Sequence, residues 1–282
     1  MNKLLLMLFA TAVAFAQSDA TSRSWNEPVK PFRILENFYY VGAVEITSFL
    51  ITSPEGHILI DGGFVETAPQ ILRNIRTLGF KPEDVKILVI SQAHFDHAGG
   101  LAELKKRTGA RLFASKEDAA LLARGGKQDF GFGDRFPYPA VKADQFVSDN
   151  QQIRVGNNVL TAHLTPGHTK GCTSYTMVVK DRNVLFDCST SVPGYNLTSI
   201  PAYPNIIDDY EHSFRVLKAL ACDIPLGAHG SFFHLSEKRK AMESGTSANP
   251  FVDPKGCKEM IERSEEDFRN TVARQRATKQ QK

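Results

Sequence analysis

Short apolar runs broken by turn residues dominate residues 32 to 61. The stretches 32–35, 38–41, 45–52 and 57–61 have the composition of strands, and Glu36-Asn37 and Pro54-Glu55-Gly56 divide them into successive hairpins. At Ala68 the period changes. Ala68, Ile71, Leu72, Ile75 and Leu78 recur at spacings of three and four, which predicts an amphipathic helix stopped by Gly79. The run 85–90 is apolar enough for a buried strand, 101–107 is helical in spacing, and 111–114 is a short strand. Ser115 with Asp118 has the pattern of a capping box opening a helix to about Ala123.

The same alternation returns in the second half. Strands are predicted at 151–155, 159–164, 173–179, 183–187 and 223–227. Asp208 with Glu211 reads as the start of a helix that turns Tyr210, Phe214, Leu217 and Ala221 inward, and further helices follow at 235–243 and 254–277. Strands then helices, twice over, predict an α/β protein of two similar halves packed sheet to sheet with helices outside, as a single domain. Residues 124–150 break the pattern. They are rich in Gly, Phe, Pro and Tyr, and a loop of this length is either a functional wall whose aromatics line a pocket or a self-packed surface loop.

Chemistry concentrates directly after the 85–90 strand, in Ser91-Gln92-Ala93-His94-Phe95-Asp96-His97-Ala98-Gly99-Gly100. A turn at the carboxyl end of a strand is where open sheets place ligand sites. Gln92, His94, Asp96 and His97 cannot share one helical face, but a turn can fold them around a cation, and imidazole with carboxylate suits zinc. Two more histidines also follow strands: His168 in Thr165-Pro166-Gly167-His168-Thr169 and His229 in Ala228-His229-Gly230. The remaining histidines, His57, His163, His212 and His234, read as structural or solvated.

The charge balance of +3, or +2 without Lys3, is too small to imply a nucleic-acid partner. Residues 1–16 place Lys3 before an apolar run ending in Ala14-Phe15-Ala16, the pattern of a cleavable secretory signal. The run is too short to span a bilayer, so the mature chain, 17–282, is expected in the periplasm or secreted, without a membrane anchor. Export permits disulfides. Four cysteines allow three full pairings. Cys222 and Cys257, both far from the clustered histidines, are the better candidates for a bridge, whereas Cys172 and Cys188 read as small buried residues.

Taken together, these stretches identify a resemblance. The chain is similar to the metallo-β-lactamase superfamily from about Phe32 to the helix after His229, with Gln92, His94, Asp96 and His97 on the His-x-His-x-Asp-His motif. Phe38-Tyr39-Tyr40-Val41-Gly42, Ile58-Leu59-Ile60-Asp61-Gly62-Gly63, Thr165-Pro166-Gly167-His168-Thr169 and Val192-Pro193-Gly194-Tyr195 most resemble subclass B3, in a branch that carries Gln in place of the first His. The resemblance implies the αβ/βα four-layer sandwich and up to two zinc ions, the first on Gln92, His94 and His168 and the second on Asp96, His97 and His229. It also implies Ser189 and Ser191 as binders of a substrate carboxylate, Asp96 as a catalytic group, and a Cys222–Cys257 disulfide. A carboxamide is a weaker zinc donor than imidazole, so the first site is expected to be the weaker one. The implied activity is β-lactam hydrolysis by a metal-activated hydroxide in a monomeric enzyme that confers antibiotic resistance. A lactonase, thioesterase or glyoxalase-II-like hydrolase is the alternative, with Asp187 as the residue that favours it. A non-catalytic exported zinc-binding protein is the third reading.

Overall fold

Strands form where the apolar runs lie. In a computed structural model describing residues 22–245 and 248–280, β1 (Phe32–Leu35), β2 (Phe38–Tyr40), β3 (Phe49–Ile51), β4 (His57–Ile60), β5 (Val85–Val89), β6 (Arg111–Ser115) and β7 (Gln145–Val147) make one sheet in sequence order. β1 to β4 pair antiparallel through short turns, and β4 to β7 pair parallel. Parallel neighbours need crossovers. Those are α1 (Ala68–Thr77), α2 (Phe95–Ala98) with α3 (Leu101–Thr108), and α4 (Lys116–Ala123). The second sheet has the order β12-β11-β10-β9-β8, from β8 (Gln152–Val155), β9 (Asn158–Leu164), β10 (Thr173–Val179), β11 (Arg182–Asp187) and β12 (Ile224–Gly227). Its helices are α5 (Ile206–Ala219), α6 (Leu235–Ser244) and α7 (Pro254–Gln280).

The layers follow from which faces are apolar. Phe38, Tyr40 and Phe49 of the first sheet meet Tyr175, Phe186 and Leu226 of the second in the central core, with the Phe49 and Phe186 rings 5.5 Å apart. Ile71, Leu101 and Leu122 bring α1, α3 and α4 onto the outer face of the first sheet. Tyr210 and Phe214 of α5 and Phe268 of α7 cover the outer face of the second, around Leu185. Helix, sheet, sheet and helix thus stack as the expected αβ/βα sandwich.

Several elements differ from their sequence expectation. The stretch 45–52 is regular only at Phe49–Ile51, because Thr47 and Ser48 spend their polar groups across the molecule. Thr47 Oγ1 donates to the Gly227 carbonyl at 2.7 Å, and Ser48 Oγ to those of Ile60 and Asp61 at 2.9 Å. α5 starts at Ile206, not at Asp208, and ends before Ala221. β7 lies inside the presumed loop. Its Phe146 is exposed, so the strand carries no buried apolar alternation to betray it.

Cys222 is bonded to Cys257, joining the segment after α5 to the first turn of α7. The reading of Cys172 and Cys188 as small buried thiols is corrected. Both are fully buried, but they are bonded to each other with Cα atoms 5.9 Å apart, across the mouth of the β10–β11 hairpin. No free cysteine remains among the described residues. The signal-peptide expectation lies outside the described residues.

Phe49 has no solvent exposure and contacts both sheets' aromatics. Replacing it with Ala is expected to destabilise the protein by roughly 3–5 kcal/mol in urea unfolding, as removal of a large buried ring does. A loss under about 1 kcal/mol would mean that the two sheets do not share this core.

Candidate metal centre

The strand β5 ends at Val89 and the chain then turns sharply under the control of Asp61. Asp61 has a left-handed backbone (φ 61°), and its side chain accepts the Ser91 backbone N–H at 2.7 Å and the Ser91 hydroxyl at 2.6 Å. That pins the first residue of the metal-type turn. A second carboxylate pins the third. Asp118 accepts the backbone N–H groups of Ala93 at 2.9 Å and Gly171 at 3.0 Å, and the Thr169 hydroxyl at 2.9 Å. Asp118 therefore ties the turn bearing Gln92 and His94 to the turn bearing His168. Ser115 accepts the Asp118 N–H as expected of an N-cap, but the Asp118 side chain serves these two turns. Burial pushes its carboxyl up to about 6 against these hydrogen bonds. Gly167 lets the His168 turn pass over α5: φ is 139°, and a Cβ would lie 2.8 Å from the Tyr210 ring.

Two groups of donors result. In the first, His94 Nδ1 and His168 Nε2 are 3.1 Å apart. His168 Nδ1 lies 2.9 Å from the Ser191 carbonyl, an acceptor only, so Nδ1 carries the proton and Nε2 the lone pair. Burial, then the neighbouring His94 ring, lower the His168 pKa to about 3, which keeps the ring neutral. Gln92 is fully buried, and neither Oε1 nor Nε2 of its carboxamide has a hydrogen-bond partner. An unpaired buried amide is costly, and a cation would relieve it.

In the second group, ligand atoms of Asp96, His97 and His229 lie within 4.8 Å of one another. His97 Nε2 and His229 Nε2 are 3.3 Å apart, and Asp96 Oδ2 is 3.4 Å from the former and 3.6 Å from the latter. Their outward nitrogens face carboxylates: His97 Nδ1 faces Asp61 at 3.3 Å and His229 Nδ1 faces Glu45 at 3.6 Å. Burial opposes ionisation of both central groups, yet the attraction between them prevails. His97 is pushed up to about 10 by Asp96 and Asp61, and the Asp96 carboxyl is held well below the usual carboxylate range. Ring nitrogens and a carboxylate aimed at one point, with acceptors behind the outward nitrogens, are the donor set of a divalent cation once His97 gives up its inner proton.

Ser189 and Ser191 share a hydrogen bond at 3.1 Å beside His168. Ser189 is buried and Ser191 half-buried, with its carbonyl holding the His168 ring. Asp187 ends β11 with Ser174 Oγ at 3.4 Å, and burial raises its carboxyl to about 7; it is no part of the Asp96, His97 and His229 group. His57 packs on Phe80, His163 bonds Thr176 at 2.7 Å, and His212 and His234 are exposed. Two further rings meet the cluster, and only the second, on the aromatic loop that reads as a candidate pocket wall, had a signal in the sequence. Trp25, from the amino-terminal arm, meets the His229 ring edge-on at 5.3 Å, and Phe132, from the long loop, meets the His94 ring at 4.9 Å.

A sandwich of two sheets with a His/Asp cluster between strand ends defines a metallo-hydrolase architecture. The chain belongs to the metallo-beta-lactamase superfamily, whose sequence profile matches residues 41–229. It is similar to the native FEZ-1 metallo-beta-lactamase from Legionella gormanii, at 42% identity and a TM-score of 0.87 over 89% of this chain and 98% of that one. It is likewise similar to BJP-1, a subclass B3 metallo-beta-lactamase of Bradyrhizobium japonicum, at 38% identity and a TM-score of 0.84 over 90% and 98%. An N-acyl homoserine lactonase, AttM of Azorhizobium caulinodans, is 28% identical over 63% of this chain and 78% of its own.

Because the His97 pKa is raised to about 10, its ring is charged near neutral pH in the metal-free protein. A cation needs its lone pair, so uptake must expel that proton, and affinity should rise about tenfold per pH unit below that pKa. Calorimetry of zinc uptake in buffers of different ionisation enthalpy should detect about one proton released. A heat independent of the buffer would show that His97 is already neutral.

Proposed function

We propose that the protein is an exported zinc β-lactamase of the subclass B3 type, opening the amide ring of penicillins, cephalosporins and carbapenems and so conferring antibiotic resistance. The observation that carries this reading is the pairing of two inward-facing donor groups with a structural likeness to B3 enzymes over nearly the whole chain. Gln92, His94 and His168 would hold one zinc and Asp96, His97 and His229 the other. Zinc bound there supplies Lewis acidity and lowers the pKa of a water to about 7.

The chain's own residues supply the rest. Asp96 stays ionised and orients the attacking water by accepting its hydrogen bond. Ser191, steadied by Ser189 and by the Tyr210 hydroxyl on its carbonyl at 2.7 Å, presents a donor to the substrate carboxylate beside His168. Water attacks the lactam carbonyl carbon, the ring C–N bond breaks, and a proton given up by that water goes to the leaving nitrogen. Trp25 and Phe232 flank His229, while Phe132 and Phe136 cover the His94 side, giving apolar walls that limit bulk water. The two disulfides support a chain that matures outside the reducing cytoplasm, as the proposed signal at 1–16 requires. No helix among the described residues is long and apolar enough to cross a membrane.

The lactonase relative favours a second reading, hydrolysis of an acyl homoserine lactone in the same cleft. A chromogenic cephalosporin separates the two. Its hydrolysis should be lost on chelation, return with added zinc, and fall by about two orders of magnitude or more in zinc-saturated Asp96→Ala. Turnover of the lactone alone would transfer the proposal to the second reading. Undiminished cephalosporin turnover in Asp96→Ala would remove Asp96 from the chemistry.

A further inference from the structure

Every histidine of the cluster has an acceptor behind it, and for three of them it is a carboxylate: Asp61 for His97, Glu45 for His229 and Asp129 for His94. Asp129 is the unexpected one. It lies on the irregular segment between α4 and β7, outside every motif that marks the site. Its Oδ1 caps the loop by accepting the backbone N–H groups of Gly131 at 2.8 Å and Phe132 at 2.7 Å. The other oxygen, Oδ2, is buried without a hydrogen-bond partner and lies 3.6 Å from His94 Nε2. Tyr195 Oη lies 3.3 Å from the same nitrogen and donates its proton to the His168 carbonyl at 3.0 Å, which leaves its lone pairs free to accept.

We propose that Asp129 is the positioning residue of the first zinc site. It holds the proton of His94 on Nε2, so that Nδ1 turns its lone pair toward the point where His168 Nε2 also aims. The proposal rests on the reading of Gln92, His94 and His168 as that site's ligands. A free imidazole carries its proton on either nitrogen, and a carboxylate beside one nitrogen selects the tautomer and makes the other a stronger donor. That matters more here than at the second site. Gln92 contributes a neutral amide where a third imidazole would bind more tightly, so basicity added to His94 compensates part of the deficit. The long loop thereby acquires a role beyond providing a wall: it delivers the only anionic group that faces His94 among the ion pairs of the described residues. The side chains of Asp129 and His94 are each about 5% exposed, so water screens their interaction little.

The test compares zinc binding by wild type, Asp129→Asn and Asp134→Asn. Asn at 129 can keep the cap on Gly131 and Phe132 while removing the charge. Asp134 belongs to the same loop and accepts the Gln128 N–H at 2.8 Å, so its variant controls for loop disturbance. Competition with a chromogenic chelator, with apo protein titrated by zinc, should give a first-site dissociation constant weaker by about 10- to 100-fold in Asp129→Asn alone, with the second site unchanged. Equal weakening of both sites, or a first-site constant within twofold of wild type, overturns the proposal. A wild type that takes up only one ion overturns the first-site reading and this proposal together, whether or not β-lactams are hydrolysed. Should Asp129→Asn fail to fold, the wild type decides: histidine nitrogen NMR of the zinc-loaded protein should place the His94 ring proton on Nε2, and a proton on Nδ1 overturns the proposal.

Discussion

The arrangement depends on aiming one nitrogen of each ring inward by giving the other an acceptor on the outside. A buried imidazole is only useful as a ligand if its second nitrogen is satisfied, and here His97 faces Asp61, His229 faces Glu45, His94 faces Asp129, and His168 faces the Ser191 carbonyl. These partners come from β4's end, the segment before β3, the long loop and the turn after β11. A sandwich of two sheets is what allows such distant segments to end at one edge. The large central core then serves as the rigid support that an array of buried, mutually repelling rings requires.

Groups that touch no candidate ligand atom of the first donor set organise it all the same. Asp118 ties the Ala93 and Thr169 turns together, and Tyr138 donates to the Ala93 carbonyl at 2.5 Å from the opposite side. The Cys172–Cys188 bridge lies against the same region, with Cys188 Sγ 3.1 Å from the Ser91 carbonyl. Backbone held at this density leaves the side chains of residues 92 to 97 few alternative positions, which lowers the ordering cost of taking up a cation.

Much of this was legible in the chain. Period changes at Ala68 and Leu101 located α1 and α3, and the strand-then-turn pattern located His94, Asp96, His97, His168 and His229 on one edge. What escaped had no local signature. Asp129 is one of many acidic residues until the loop folds it against His94, 35 positions earlier in the chain. Cys172 and Cys188 flank a hairpin, and only the β10–β11 register brings them together. Asp118 looked like half of a capping box because its N–H is indeed capped by Ser115, while its side chain acts across 51 residues on Thr169. β7 and the start of α5 were misjudged because pairing and packing, not propensity, set their limits.

The central claim is that two separate donor groups each close around a cation. Anomalous diffraction at the zinc edge from crystals equilibrated with zinc bears on it most directly. Two peaks are expected, one bounded by Gln92, His94 and His168 and the other by Asp96, His97 and His229. A single peak, or a first peak that leaves the Gln92 carboxamide unengaged, would contradict it.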